Sequence, residues 1–349
     1  NQNVNYYVTD ANGNFLSNNG SYIYIQDSQL NSGSAAKTYF PTTTRFNVPR
    51  IDYTGGGCPH ILAEPQRTNL LTYSEDFSQS FWTPTRCTIT SNQIISPNGT
   101  LDADLLTVTD SNENYLQTPL LTVSGTLQTS SFYIKKGTSD FAHILLWDSV
   151  NDGSRQWFDL TNGTVGTSSS FGSGITVNNA KIISYNNDWY RCTVVYNNSN
   201  SNIRTRISAS NSNGDPTSTV GKTIYIWGAQ LEVGSYPTSL IPTSGSTVTR
   251  NQDIFTRDGI GSLINSTEGV LFAELAALSD DLTTREITLS NGTVNDRIEI
   301  RYSSVSNRIQ GLVRVGGVIA ANLTFIVSDI TDFNKIAIKW KLNDFAMWI

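Results

Sequence analysis

Short runs of alternating apolar and polar residues, separated by asparagine–glycine turns, constrain this chain more than any other feature. The runs include Cys87-Thr88-Ile89-Thr90, Leu105-Leu106-Thr107-Val108, Ser131-Phe132-Tyr133-Ile134 and His143-Ile144-Leu145-Leu146-Trp147. Others are Trp157-Phe158-Asp159-Leu160, residues 189–196, residues 203–207 and Ile224-Tyr225-Ile226-Trp227. A period of two puts successive side chains on opposite faces of a strand. Asn98-Gly99, Asn151-Asp152-Gly153, Asn162-Gly163 and Asn213-Gly214 lie between the runs. These pairs adopt positive φ at little cost, as tight hairpin turns require. The pattern predicts an all-β chain built as an antiparallel β-sandwich.

The surface chemistry agrees. Only 15% of the 349 residues are charged, and Ser, Thr, Asn and Gly take the place that Glu and Lys hold on helical surfaces. Hydrophobic residues at 38% still supply real cores. Net charge is −6, with no basic run interleaved with aromatics, which argues against nucleic acid as a partner. No apolar stretch is long enough to insert in a bilayer, and no signal-peptide pattern is visible after Asn1. Cys58, Cys87 and Cys192 are an odd set without paired spacing, and free thiols are expected. Cys58-Pro59-His60 lacks a second cluster to complete a metal site, so no metal or other cofactor is expected.

Two motifs bracket the strand-rich region. The first runs from Leu62-Ala63-Glu64-Pro65-Gln66-Arg67-Thr68-Asn69-Leu70-Leu71 to Tyr73-Ser74-Glu75-Asp76-Phe77 and Phe81-Trp82. The second is Trp227-Gly228-Ala229-Gln230-Leu231-Glu232 with residues 236–243. Together they resemble the opening and closing strands of a β-sandwich module of bacteriophage tail- and head-fibre proteins. More distantly, they resemble the jelly-roll carbohydrate-binding modules of secreted polysaccharide-degrading enzymes. The resemblance spans roughly residues 45–255, and Leu240 departs from it where such modules more often carry an aromatic ring. It implies a jelly-roll sandwich whose motif residues Glu64, Arg67, Trp227, Gln230 and Glu232 are structural. It also implies a virion appendage, a tail or head fibre on the phage particle surface, that adheres to a host cell-surface glycan. Its partners would be other virion proteins and copies of itself, with a homotrimer favoured. The alternative is a non-catalytic carbohydrate-binding region of a secreted bacterial enzyme, and a third reading is a spacer that binds no sugar.

The expected organisation is an attachment segment at 1–68, with one good strand at Tyr22-Ile23-Tyr24-Ile25, then the sandwich at 69–245 and a linker at 246–268. Residues 269–349 resemble the start of a concanavalin- or laminin-G-like lectin sandwich that is incomplete at Ile349. The expectation is that the polypeptide continues, because an uncovered apolar edge strand invites aggregation.

Catalysis is not expected. Two histidines, and no nucleophile elbow, zinc-protease motif, phosphate loop or Cys-Xaa-Xaa-Cys pair, leave few routes to chemistry. Asp148, Asp159 and Glu232 are the carboxylates a glycosidase would need to pair. Nothing in the sequence pairs them. Glu64 and Arg67, three apart, read as a charge-assisted contact pinning the first strand. Asn98-Gly99-Thr100 and Asn291-Gly292-Thr293 fit the glycosylation pattern but read as turns.

Rings are the better lead, since sugars stack on Trp and Tyr beside amides and charged groups. If Phe132, Ile134, Ile144, Leu146, Phe158 and Leu160 face the core, alternation gathers Tyr133, Lys135, His143, Trp147, Arg155, Trp157 and Asp159 on an opposite face. That set is the candidate glycan surface. A subunit interface draws on the same residue types.

Overall fold

The computed structural model describes residues 50–52 and 59–349. The expected strand at residues 22–25, the glycines at 55–57 and Cys58 lie outside the described residues. Apart from single 3-10 turns at Asn186–Asp188 and Gly261–Leu263, the described residues hold only strands, turns and loops. The chain divides into two units, the smaller comprising residues up to Gln66 together with Arg250–Phe255. There β1 (Arg50–Asp52) pairs antiparallel with β2 (His60–Leu62), Ile51 opposite Ile61. The Glu64 carboxylate in this unit lies 2.8 Å from the Arg250 guanidinium, and its backbone N–H donates to Asp253 Oδ2 at 2.8 Å.

In the larger unit the strands begin with β3 (Arg67–Asn69), β4 (Thr83–Thr85), β5 (Cys87–Ile95), β6 (Leu101–Val108), β7 (Tyr115–Gln117) and β8 (Leu121–Thr122). They continue with β9 (Leu127–Lys136), β10 (Phe141–Trp147), β11 (Gly153–Asp159), β12 (Thr164–Phe171) and β13 (Ile175–Tyr185). The set ends with β14 (Trp189–Asn198), β15 (Asn202–Ser210), β16 (Thr223–Val233) and β17 (Val248–Arg250), whose last residue belongs to the smaller unit. Two antiparallel sheets result. One has six strands in the order β13-β14-β9-β16-β6-β5, and the other has seven, β12-β11-β10-β15-β7-β4 with β8 beside β15.

The core between them follows from alternation. Phe132, Ile134, Ile144, Leu146, Phe158 and Leu160 all enter it, with Cys192, Val194 and Tyr196 from β14 and Ile203 and Ile207 from β15. Polar groups that reach inside find partners across the gap: Tyr196 donates its hydroxyl to Ile144 O at 3.1 Å, and the Ser130 and Thr205 hydroxyls meet at 2.9 Å. Cys87 and Cys192 are buried free thiols, their pKa values pushed up by burial.

The two motifs meet. Leu70 N donates to Leu231 O at 2.8 Å. Buried Asn69 gives its amide hydrogens to Ala229 O (3.1 Å) and Ile241 O (3.0 Å) and accepts from Leu71 N and Leu231 N, both at 3.2 Å. Gln230 Oε1 accepts from Ile241 N at 2.7 Å while its Nε2 donates to Glu232 Oε1 at 2.7 Å. Glu232 in turn accepts from Thr238 N and Thr238 Oγ1, both at 2.8 Å, and Arg67 Nε lies 3.9 Å from it. A bulge between Trp227 and Gln230 makes this possible. It shifts the parity of β16, so that Ile224 and Ile226 before it and Ala229 and Leu231 after it all face the core. Gly228 carries the bulge at φ +60, where an added Cβ would stand 2.7 Å from the Tyr133 ring.

Residues 268–349 form a second sandwich from β18 (Glu268–Leu275), β19 (Arg285–Ser290), β20 (Arg297–Tyr302), β21 (Arg308–Val315), β22 (Val318–Ile326), β23 (Asn334–Lys341) and β24 (Ala346–Trp348). A three-stranded sheet, β18-β23-β24, and a four-stranded one, β19-β20-β21-β22, enclose Ile300, Ile309, Val313, Ile336, Ile338 and Met347.

Candidate functional site

The residues expected to share one face are divided between the two sheets. Tyr133 and Lys135 project from β9 on the outside of the six-stranded sheet, whereas His143, Trp147, Arg155, Trp157 and Asp159 belong to β10 and β11 of the seven-stranded sheet. The single gathered surface therefore does not form. Alternation fixes which side chains of a strand point together, but the chain crosses to the opposite sheet between β9 and β10. Tyr133 is buried edge-on against Tyr185 (5.1 Å) and Trp227 (5.2 Å), with Arg191 over its ring. Lys135 donates to Asn187 O at 2.6 Å. Asp159 closes a turn, accepting from Thr161 N at 2.8 Å and from Asn162 N at 2.9 Å. Partial burial pulls its pKa upward, but the bonds from Asn162 and Thr161 prevail and hold it below the usual carboxylate range.

On the outside of the seven-stranded sheet, antiparallel register brings the remaining residues into rows. Trp157 stands opposite His143, which stands opposite Ser208; Arg155 stands opposite Leu145, which stands opposite Arg206; Trp147 stands opposite Arg204. Arg206 in turn faces Gln117 on β7. The first of these rows is roofed by the loop between β15 and β16. Trp157 is only 2% exposed and donates its indole N–H to Asp215 O at 3.0 Å. His143 lies 5.2 Å from the Trp157 ring, with Nδ1 2.9 Å from Ser210 Oγ. Burial, reinforced by the positive charges of Arg155 and Arg206, pushes its pKa down to about 3. It is a neutral, enclosed histidine.

The reachable part of this face is centred on Trp147. Leu145 forms its fully buried floor, and half-buried Trp147, Tyr115, Gln117, Arg204, Arg155 and Glu113 surround it. The Arg206 guanidinium lies between two rings, 3.8 Å from the centroid of Tyr115 and 4.2 Å from that of Trp147. Its Nε donates to Gln117 Oε1 at 2.8 Å. Arg204 approaches the Trp147 ring at 5.6 Å. Arg155 pairs with Glu113 at 2.7 Å and covers Phe171. Three guanidiniums thus crowd together, and of these only Arg155 is paired with a carboxylate. Burial lowers the Arg206 pKa, and the charges of Arg204 and Arg155 add to this against the opposing pull of Tyr115 and Glu113.

The arrangement offers apolar ring surface beside fixed donors. Among the described residues the carboxylate in it, Glu113, is taken by Arg155. Among the described residues no group of three or more His, Cys, Asp or Glu side chains is placed to hold a metal ion. Tyr115, Arg204 and Arg206 were not singled out from the sequence. The signal was present in Ile203-Arg204-Thr205-Arg206-Ile207, whose arginines alternate against core isoleucines.

No protein-family model matches the chain, and no curated protein matches it. Among solved structures it is similar to a provisionally assigned sugar-binding protein from Bacteroides thetaiotaomicron, at 11% identity and a TM-score of 0.28 over 47% of this chain and 92% of that one. It is also similar to the enzymatically active domain of tailspike protein 4 from bacteriophage CBA120, at 17% identity and a TM-score of 0.26. That match covers 47% of this chain and 21% of the tailspike chain.

Proposed function

We propose that this chain is a structural component of a phage virion appendage, a tail or head fibre, whose first sandwich binds host-surface glycans without catalysis. The observation that supports this reading is the Trp147 surface. Half-buried rings lie there beside Arg204, which makes no hydrogen bond or ion pair with the described residues, on the outer face of the seven-stranded sheet. Stacking on a ring with a few hydrogen bonds gives weak contacts, and many copies on one particle multiply them. The motifs bracketing the sandwich, which resemble those of fibre modules, supply the virion part of the reading.

A glycan array probed with the full chain and with Trp147→Ala tests it. Binding should weaken by about 1–3 kcal/mol if the indole caps a sugar, while the folded state persists because Trp147 is only partly buried and lies outside the core. Trp157→Ala serves as the contrast. With its ring enclosed, it should cost about 3–5 kcal/mol of stability. If Trp147→Ala binds every glycan as the parent does, the assignment of this face is wrong. Immunogold labelling of phage particles checks the virion location.

A further inference from the structure

We infer that the glycan taken at the Trp147 surface is acidic, carrying a carboxylate, sulfate or phosphate that Arg204 and Arg206 neutralise; this rests on the glycan-binding reading above. The argument begins with charge. The chain as a whole is at −6, yet Arg155, Arg204 and Arg206 crowd around Leu145 and Trp147 with Glu113 as the only paired carboxylate. Arg206 is 7% exposed and, among the described residues, has no carboxylate within ion-pair distance; Gln117 receives one of its donors. A guanidinium taken out of water without a counter-charge is costly to the fold.

Arg204 carries the point further. It makes no hydrogen bond or ion pair with any described residue, and its Nε is shut off from solvent with no acceptor. The Nε of Arg155, on the other side of Leu145, is likewise enclosed without one. Arg191 on the opposite sheet differs at its outer nitrogens. It is as buried as Arg206, and although its Nε is also enclosed without an acceptor, its Nη2 donates to Thr238 O at 2.7 Å and Ser131 Oγ at 3.1 Å, whereas Arg204 makes no hydrogen bond at any nitrogen with the described residues. Around Trp147, among the described residues, Gln117 accepts one bond from Arg206 and Glu113 pairs with Arg155, while Arg204 meets no acceptor; an anionic group supplies both the lone pairs and the charge. Planar guanidinium forks suit carboxylate, sulfate and phosphate oxygens. The rings of Trp147 and Tyr115 take the apolar face of the sugar that bears the group. Two uncompensated charges in one small area match one acidic sugar residue, whereas a nucleic-acid strand needs a track of cations.

The test uses the full chain and matched oligosaccharides. One pair is a glucuronic-acid-containing oligosaccharide and its carboxyl-reduced neutral form; sulfated and phosphorylated oligosaccharides form separate arms that identify the anion. Calorimetric titration should give at least roughly tenfold tighter binding to an acidic member than to its neutral counterpart, weakening as salt is raised. Arg204→Gln, which breaks no bond in the fold, should abolish that preference, and Arg204→Lys should retain part of it. Lys181→Gln, exposed on β13 of the other sheet, should change nothing. Equal affinity for acidic and neutral members overturns the inference and leaves the glycan reading intact. So does an acidic preference that survives Arg204→Gln. Tight binding of a single-stranded oligonucleotide in place of the sugars also overturns it. Failure of the folded protein to bind any glycan, charged or neutral, defeats the glycan reading itself.

Discussion

At His143, burial and two neighbouring guanidiniums act in the same direction, holding the imidazole neutral with a pKa of about 3. In the unfolded chain the same ring takes up a proton near pH 6.5. Between those values the unfolded state binds a proton that the folded state refuses. The stabilisation is complete above pH 6.5 and is lost as pH falls, by at most about 1.4 kcal/mol per unit. Thermal midpoints should therefore decline from about pH 7 to about pH 5.5, above the range in which ordinary carboxylates titrate; Glu75 and Asp104, whose pKa values burial raises, are common to the parent and His143→Gln. The decline should be shallower in His143→Gln; an identical slope in both proteins would show that the ring is hydrated in the native state. Periodicity assigned His143 and Trp157 correctly to the side of their strands away from the core. It carried no information about the loop of residues 211–219 that returns to roof them. Solvent exposure at this face is set by that loop and not by strand parity, so of the rings expected to meet a ligand only Trp147 remains reachable.

At the scale of elements, the clasp between β3 and β16 concentrates risk in one side chain. Asn69 satisfies two carbonyls and two backbone N–H groups that are otherwise buried. Asn69→Ala leaves them bare, and each lost partner costs about 1–3 kcal/mol. The urea midpoint should fall by the equivalent of at least about 3 kcal/mol, with the m-value unchanged if the sandwich still opens in one step. A near-neutral result would mean that water replaces the amide. The meeting of the opening and closing strands could be read from their motifs, as could the inward residues of β9, β10 and β11. Sheet membership could not. Strands with the same alternation serve either sheet, and only long-range pairing decides that β9 joins β14 and β16 while the β10–β11 hairpin joins β15. The bulge at Gly228 was equally hidden, although the change from Ile224 and Ile226 to Ala229 and Leu231 records its parity shift.

For the whole molecule, the second sandwich raises the question of assembly. On the outer side of its three-stranded sheet Val270 is 58% exposed, Phe272 59% and Trp348 53%, with Phe272 and Trp348 flanking Ala337. Such a patch favours burial against another surface. With the fibre reading, this leads us to expect a closed homo-oligomer, a trimer, in which residues 1–68 take part. Native mass spectrometry should return three copies of the 38.3 kDa chain. A clean monomer in which residues 1–68 are cleaved by protease while 69–250 stay intact would count against assembly. One arrangement bears on how such a fibre withstands force. The chain enters the first sandwich along β3 and leaves it along β17, and these strands are each other's partners, with the Thr68 and Thr249 hydroxyls 2.7 Å apart. Tension along the polypeptide arrives at this narrow ribbon and peels it one rung at a time. If the chain bears load in a fibre, the sheets behind this ribbon feel it through the Asn69 clasp on β16, so the face around Trp147 should keep its shape until the ribbon has opened.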